Sequence, residues 1–171
     1  SRHADREQYN IALAKCVKEY SPDIVVLAGW MYILSDSFIK RFKNIINLHP
    51  ALPGEFPGSN SIKEALDAYR LGKIKYTGVM VHRVVQDVDV GEVIFTTDVP
   101  IKNEDTYETL RDRVQSREKG VLIQGIQKVI SDLWTMECRE SGCTLLEGKV
   151  RKVIDVGYGV LALEHSDRQS A

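Results

Sequence analysis

A chain of 171 residues is long enough for one domain with a sizeable buried core. Its 23 basic and 24 acidic residues give a net charge of −1 and a pI near 6.4, which argues against nucleic acid or an anionic membrane surface as the main partner. Hydrophobic residues make up 43%, as in ordinary globular proteins, and no apolar run approaches the roughly 20 residues of a membrane-spanning helix.

The opening Ser1-Arg2-His3-Ala4-Asp5 has neither an initiator methionine nor a secretory leader, and reads as a processed or truncated end in a cytoplasmic protein. The three cysteines, Cys16, Cys138 and Cys143, form no regular framework, which fits a reducing compartment. Cys138 and Cys143 lack partner histidines or a second cysteine pair, so free thiols are expected and no metal site.

In chain order, Tyr9, Ala12, Leu13, Cys16, Val17 and Tyr20 recur at helical spacing and predict an amphipathic helix over residues 6–20. Ser21-Pro22-Asp23 breaks it. Ile24 to Gly29 is a continuous apolar run, expected for a strand covered on both faces in a parallel sheet. Residues 30–34 form a loop after that strand, and a short helix near 37–42 leads to a second strand over 44–49. The Pro- and Gly-rich stretch 50–60 is a surface loop. Ser61-Ile62-Lys63-Glu64 fits a capping box and opens a helix ending near Gly72. Strands over 76–85 and 92–99 are joined by a turn holding Asp87-Val88-Asp89-Val90-Gly91. A long helix from about Asp105 turns Leu110, Val114, Val121, Leu122, Ile126 and Val129 inward. The alternation predicts an α/β domain with a mostly parallel open sheet and its site at the strand-end loops. From Glu137 onward the pattern changes, with Thr144-Leu145-Leu146 and residues 149–163 suggesting a short hairpin around Gly157-Tyr158-Gly159.

Chemistry concentrates at Asn47-Leu48-His49-Pro50. Alternate side chains of a strand share a face, so Asn47 and His49 project together. An amide can donate to an oxygen that becomes negative, and an imidazole can move a proton near neutral pH. Each has a plain structural use as well, the histidine in packing and the asparagine as a cap. A carboxylate from the Asp-Gly turn would complete a set suited to reaction at a carbonyl carbon. Asp87 and Asp89 share one alternation, so spacing leaves both open. Gln115 and Glu118, three apart on the long helix, share a face that is ordinarily solvated surface. His82, mid-strand among apolar residues, reads as a core or supporting histidine. Trp30 and Tyr32 could stack on a flat heterocycle or simply pack.

Together these motifs resemble the phosphoribosylglycinamide formyltransferases, a Rossmann-like family. The family's Asn-x-His-Pro-(Ser/Ala)-Leu string stands at 47–52, its Val-Leu-Ala-Gly-(Phe/Trp)-Met-x-Ile-Leu-Ser stretch at 26–35, its Val-His…Asp-x-Gly-x-Val-Ile pattern at 81–94, and its Arg-Val-Gln-x-x-Glu pattern at 113–118. The match runs over about 6–133. It implies a partial formyltransferase domain over 1–133 and an extension of unknown role over 134–171.

The resemblance implies formyl transfer from the co-substrate 10-formyltetrahydrofolate to the amine of glycinamide ribonucleotide, in purine biosynthesis and without a metal. Asn47, His49 and Asp89 would be catalytic. Arg6, Met31, Tyr32, Ile33, Leu34, Asn47, Val85, Gln86, Asp87, Val88 and Asp89 would contact the folate. Gly29, Met31, Pro50, Gln115 and Glu118 would bind the ribonucleotide. The family's opening strand and glycine-rich phosphate loop are not found at the start of this sequence, so a fragment of a longer protein is expected. Tyr32 stands where a basic residue is common, and Lys119 where histidine is frequent. Other expectations of the superfamily are another folate-dependent formyltransferase, a formyltetrahydrofolate hydrolase, or a non-catalytic fragment.

Overall fold

The computed structural model describes residues 2–141, 151–157 and 161–165. The chain divides into two compact units, residues 1–46 with 127–171, and residues 47–126. Strand β2 (Ile45–His49) and helix α4 (Tyr107–Ser141) each run from one unit into the other.

The first unit holds α1 (Arg2–Glu19), β1 (Ile24–Leu27), α2 (Asp36–Ile39), β5 (Arg151–Asp155) and β6 (Leu161–His165). All four residues of β1 are buried, as the unbroken apolar run requires. On one side β1 receives the backbone of the β2 approach, Val25 N–H donating to Asn44 O at 2.8 Å. On the other it pairs in parallel with β5, Ile24 opposite Val153 and Val26 opposite Asp155. β5 and β6 pair antiparallel, Arg151 opposite His165. The predicted turn at Tyr158 and Gly159, the segment 144–146, and the thiol of Cys143 lie outside the described residues, as does the side chain of Cys138.

The face of α1 differs from the expected one. Tyr9 and Tyr20 are about half exposed and Cys16 is exposed, while Asn10, Ala14 and Val17 are buried. A polar residue decides this. The Asn10 carbonyl oxygen accepts the Ser35 N–H at 3.1 Å, and its amide donates to Arg6 O at 2.9 Å. The interior stripe therefore begins on an asparagine that a count of apolar residues passes over. Helix α2 has only four residues, too short to hold itself. It is anchored by fully buried Phe38, whose ring meets that of Phe42 at 5.0 Å. Burying such a side chain stabilises by about 1.5–3 kcal/mol.

The second unit holds the end of β2, α3 (Ser61–Arg70), β3 (Tyr76–Arg83), β4 (Val93–Pro100) and most of α4. β3 is buried from Thr77 to His82 and pairs antiparallel with β4. Among the described strand pairs, one in the first unit is parallel and one antiparallel, and the pair in the second unit is antiparallel. Ser61 does not cap α3. The cap position is Asn60, Ser61 is the first helical residue and is buried, and no side chain caps the turn. Leu110, Val114, Val121 and Val129 of α4 are buried as expected, and Gly125 lets the helix approach Val81, whose side chain a Cβ would meet at 2.7 Å. The helix continues to Ser141, beyond the change of pattern read at Glu137. Its N-terminus is tied by Asp105, which accepts two bonds from Arg113 (2.6 and 2.7 Å) and one each from Lys102 N–H (2.7 Å) and the Thr109 hydroxyl (2.9 Å). The guanidinium beside it holds this carboxyl well below the usual carboxylate range. Among the described residues no helix is long and apolar enough to cross a membrane.

Candidate active site

Strand geometry does what the Asn-x-His spacing requires: Asn47 and His49 leave β2 on one face, and Asp89 reaches them from the β3–β4 connection. The Asn47 amide nitrogen donates to Asp89 Oδ1 at 3.2 Å, and His49 Nδ1 lies 3.4 Å from Asp89 Oδ2. Both ionisable side chains are less than a tenth exposed. Asp87 is exposed, and Asp89 is the aspartate that joins the cluster, which closes the choice that spacing left open.

Three backbone features aim Asp89. Its φ of 57° is left-handed, a conformation that Asp tolerates better than most residues. β3 and β4 also shift register between Val81 and His82, and Gly91 presses against the strand end so closely that a Cβ would lie 1.7 Å from Arg83 O. The carboxylate also takes the Gly58 N–H at 2.9 Å, which ties the 50–60 loop to the site. Burial works against the charged carboxyl, but the His82 ring beside it, the Gly58 N–H and the charge of His49 outweigh it, so its pKa is lowered.

His49 Nε2 meets the carbonyl of Phe56 at 3.0 Å, so both ring nitrogens face acceptors. A neutral imidazole has one N–H for the two. Burial pushes its pKa down, against the upward pull of Asp89 and the Phe56 carbonyl.

A fourth side chain belongs to the cluster. His82, buried in β3, donates Nδ1–H to Arg83 O at 2.9 Å and turns Nε2 to the Asn47 amide nitrogen at 3.2 Å and Asp89 Oδ1 at 3.4 Å. Its place mid-strand among apolar residues marks it as core or support. Its apolar neighbours in the strand gave no sign of the polar contact.

The other expected site residues are placed as follows. In the first unit Arg6, Gly29, Met31, Tyr32 and Ile33 are exposed and Leu34 is buried, with the Trp30 and Tyr32 rings edge to face at 5.8 Å. In the second unit Val85, Gln86, Asp87 and Val88 are exposed on the connection that carries Asp89. Pro50 follows the cluster and lines a hollow of about 120 Å³ with Ser59, Asn60, Ser61, Ile62, Lys63 and Tyr107, which none of the trio lines. Gln115 is exposed, and half-buried Glu118 has its pKa raised by burial. Among the described residues no group of three or more His, Cys, Asp or Glu side chains is arranged to hold a metal ion.

Residues 1–126 match the family model described as formyl transferase. The chain belongs to the formyl transferase family. It is 45% identical over 129 residues to phosphoribosylglycinamide formyltransferase of Dictyostelium discoideum, covering 71% of this chain and 63% of the relative. The enzyme of that name from Schizosaccharomyces pombe is 41% identical over 131 residues, covering 74% and 63%. The crystal structure of phosphoribosylglycinamide formyltransferase from Bacillus halodurans superimposes with a TM-score of 0.67 at 35% identity, covering 73% of this chain and 63% of that one. This formyl transferase chain therefore spans about three-fifths of the length of the relatives it matches.

Proposed function

We propose that the chain carries the catalytic centre of a phosphoribosylglycinamide formyltransferase, moving a formyl group from 10-formyltetrahydrofolate to the amine of glycinamide ribonucleotide in cytoplasmic purine biosynthesis. The observation that carries this reading is the joining of Asn47, His49 and Asp89 through a carboxylate held below its ordinary pKa. The names of the relatives support the substrate pair.

In this reading the amine nitrogen bonds to the formyl carbon, the carbonyl electron pair moves to oxygen, and the nitrogen sheds a proton. Collapse of the tetrahedral centre then breaks its bond to the folate nitrogen, which takes up a proton. Asp89 is the acceptor for the amine proton and hands a proton on to the departing folate nitrogen, returning to carboxylate. Asn47 is held with a hydrogen on Asp89, and as that carboxylate gains a proton its hold weakens, freeing the hydrogen for the new oxyanion. His49, whose ring lies 3.4 Å from the same carboxylate, is proposed to stabilise that oxyanion beside Asn47. Arg6, residues 31–34 and the connection 85–88 are proposed to hold the folate, and Gly29, Met31, Pro50, Gln115 and Glu118 the ribonucleotide. Residues 1–133 are proposed as the formyltransferase part and 134–171 as an extension.

The test is the full chain given both substrates, with formylated ribonucleotide measured beside a folate-binding titration. Formyl transfer that falls about a hundredfold or more in Asn47→Ala supports the reading, because one oxyanion donor is typically worth that much. Folate binding without turnover refutes it in favour of a non-catalytic fragment. Formate release that ignores the amine refutes it in favour of a hydrolase.

A further inference from the structure

We propose that His82 is a positioning residue that fixes which way round the Asn47 amide sits, and so aims the hydrogen that serves the oxyanion. The proposal rests on the formyl-transfer reading for its purpose, and on hydrogen-bond bookkeeping around one ring for its substance.

Arg83 O lies 2.9 Å from His82 Nδ1. A carbonyl only accepts, so Nδ1 carries the hydrogen. The partner is the next residue in the chain, held in place by its own N–H donating to Glu92 O at 2.8 Å. Local backbone therefore sets the tautomer, before any contact with the site. In the neutral ring Nε2 then has a lone pair, 3.2 Å from the Asn47 amide nitrogen and 3.4 Å from Asp89 Oδ1, so these are two acceptors that only the Asn47 NH2 group can bridge.

The two ends of an asparagine amide are nearly the same shape, so packing alone does not choose between them. Chemistry does. With nitrogen inward, one hydrogen goes to His82 Nε2 and the other to Asp89 Oδ1. With the amide turned over, its oxygen would face a lone pair on Nε2 and a carboxylate oxygen at once. His82 and Asp89 thus vote the same way, and they differ in when. Asp89 loses its hold when it takes the amine proton, the moment the donor is needed. His82 takes no part in that transfer and keeps the amide from turning. Its burial, 3% exposed, keeps water from substituting for the ring nitrogen.

Two substitutions separate the role. His82→Phe keeps a buried ring of similar size and removes the acceptor. His82→Gln supplies a carbonyl oxygen near the Nε2 position. In the unliganded wild-type chain, nitrogen-15 NMR is expected to find Nδ1 protonated and Nε2 bare on His82, and slowed exchange for both Asn47 amide hydrogens. In His82→Phe that protection is lost, and kcat falls roughly tenfold, the worth of one directed hydrogen bond, with both KM values within about twofold. His82→Gln recovers part of the kcat. Thermal melting by circular dichroism confirms that both variants fold.

A folded His82→Phe chain with wild-type kcat overturns the proposal. So does a His82 ring protonated on Nε2 and bare on Nδ1, which needs no turnover to detect. A wild-type chain that transfers no formyl group, yet shows the protected amide lost in His82→Phe, refutes the formyl-transfer reading and supports the positioning of Asn47.

Discussion

Replacing Asp89 by asparagine changes one oxygen to NH2 and removes the charge at the centre of the cluster. The carboxylate accepts from Gly58 N–H at 2.9 Å and Asn47 at 3.2 Å, one on each oxygen. An asparagine here keeps a single oxygen, so either Asn47 or Gly58 loses its acceptor. Leaving one such group unpaired where the side chain is about a tenth exposed costs roughly 1–3 kcal/mol. The effect on His49 is separate. At 3.4 Å a unit charge is worth about 1.2 kcal/mol in bulk water and about 4.9 kcal/mol at an effective dielectric of 20, or about one to three and a half pH units. His49 is already lowered by burial, and losing the carboxylate lowers it further. The assay is a proton NMR titration of the imidazole in both chains, beside urea unfolding at several pH values. The native carboxyl titrates below its ordinary value of 3.8, so its contribution is present above that pH and is lost as pH falls through the folded value. The stability gap between wild type and Asp89→Asn should therefore close in acid. A His49 midpoint that stays or rises in Asp89→Asn refutes the reasoning, because the two groups would then not be electrically joined.

Further outcomes follow from other contacts. Asp105→Ala leaves Arg113 without its carboxylate and Lys102 N–H without its acceptor, and should cost about 3–5 kcal/mol in urea unfolding; a loss under about 1 kcal/mol would show the buried pair to be idle. Gly91→Ala forces a methyl group onto Arg83 O and should lower both melting temperature and turnover by shifting the connection that carries Asp89. Gly120→Ala, where a Cβ meets nothing within 4 Å, should instead stabilise α4 by up to about 1 kcal/mol, and serves as the control. Glu118→Gln should raise the melting temperature at neutral pH, because burial penalises the ionised carboxyl. The gain should shrink as pH falls below the raised folded value toward 4.5, where the native glutamate is itself protonated.

Much of this protein is written locally. The buried β1 run, the alternation that sets Asn47 and His49 on one face, the β3–β4 pair and the apolar stripe of α4 all follow from the chain's periodicity, because backbone conformation decides which side chains share a face. Matching motifs went further and carried the family. Other features had no local signal. The buried stripe of α1 starts at Asn10, whose partner Ser35 is 25 residues away, and Ser61 lies one position inside the helix it was expected to cap. Asp89 rather than Asp87 enters the site because a left-handed residue, a register shift and the close approach of Gly91 turn the connection inward. His82 became part of the cluster only when β2 and that connection met over its ring. Hydrogen-bond partners 31 to 42 residues apart are set by how loops close, and loop closure depends on the whole packed unit rather than on any window of the sequence.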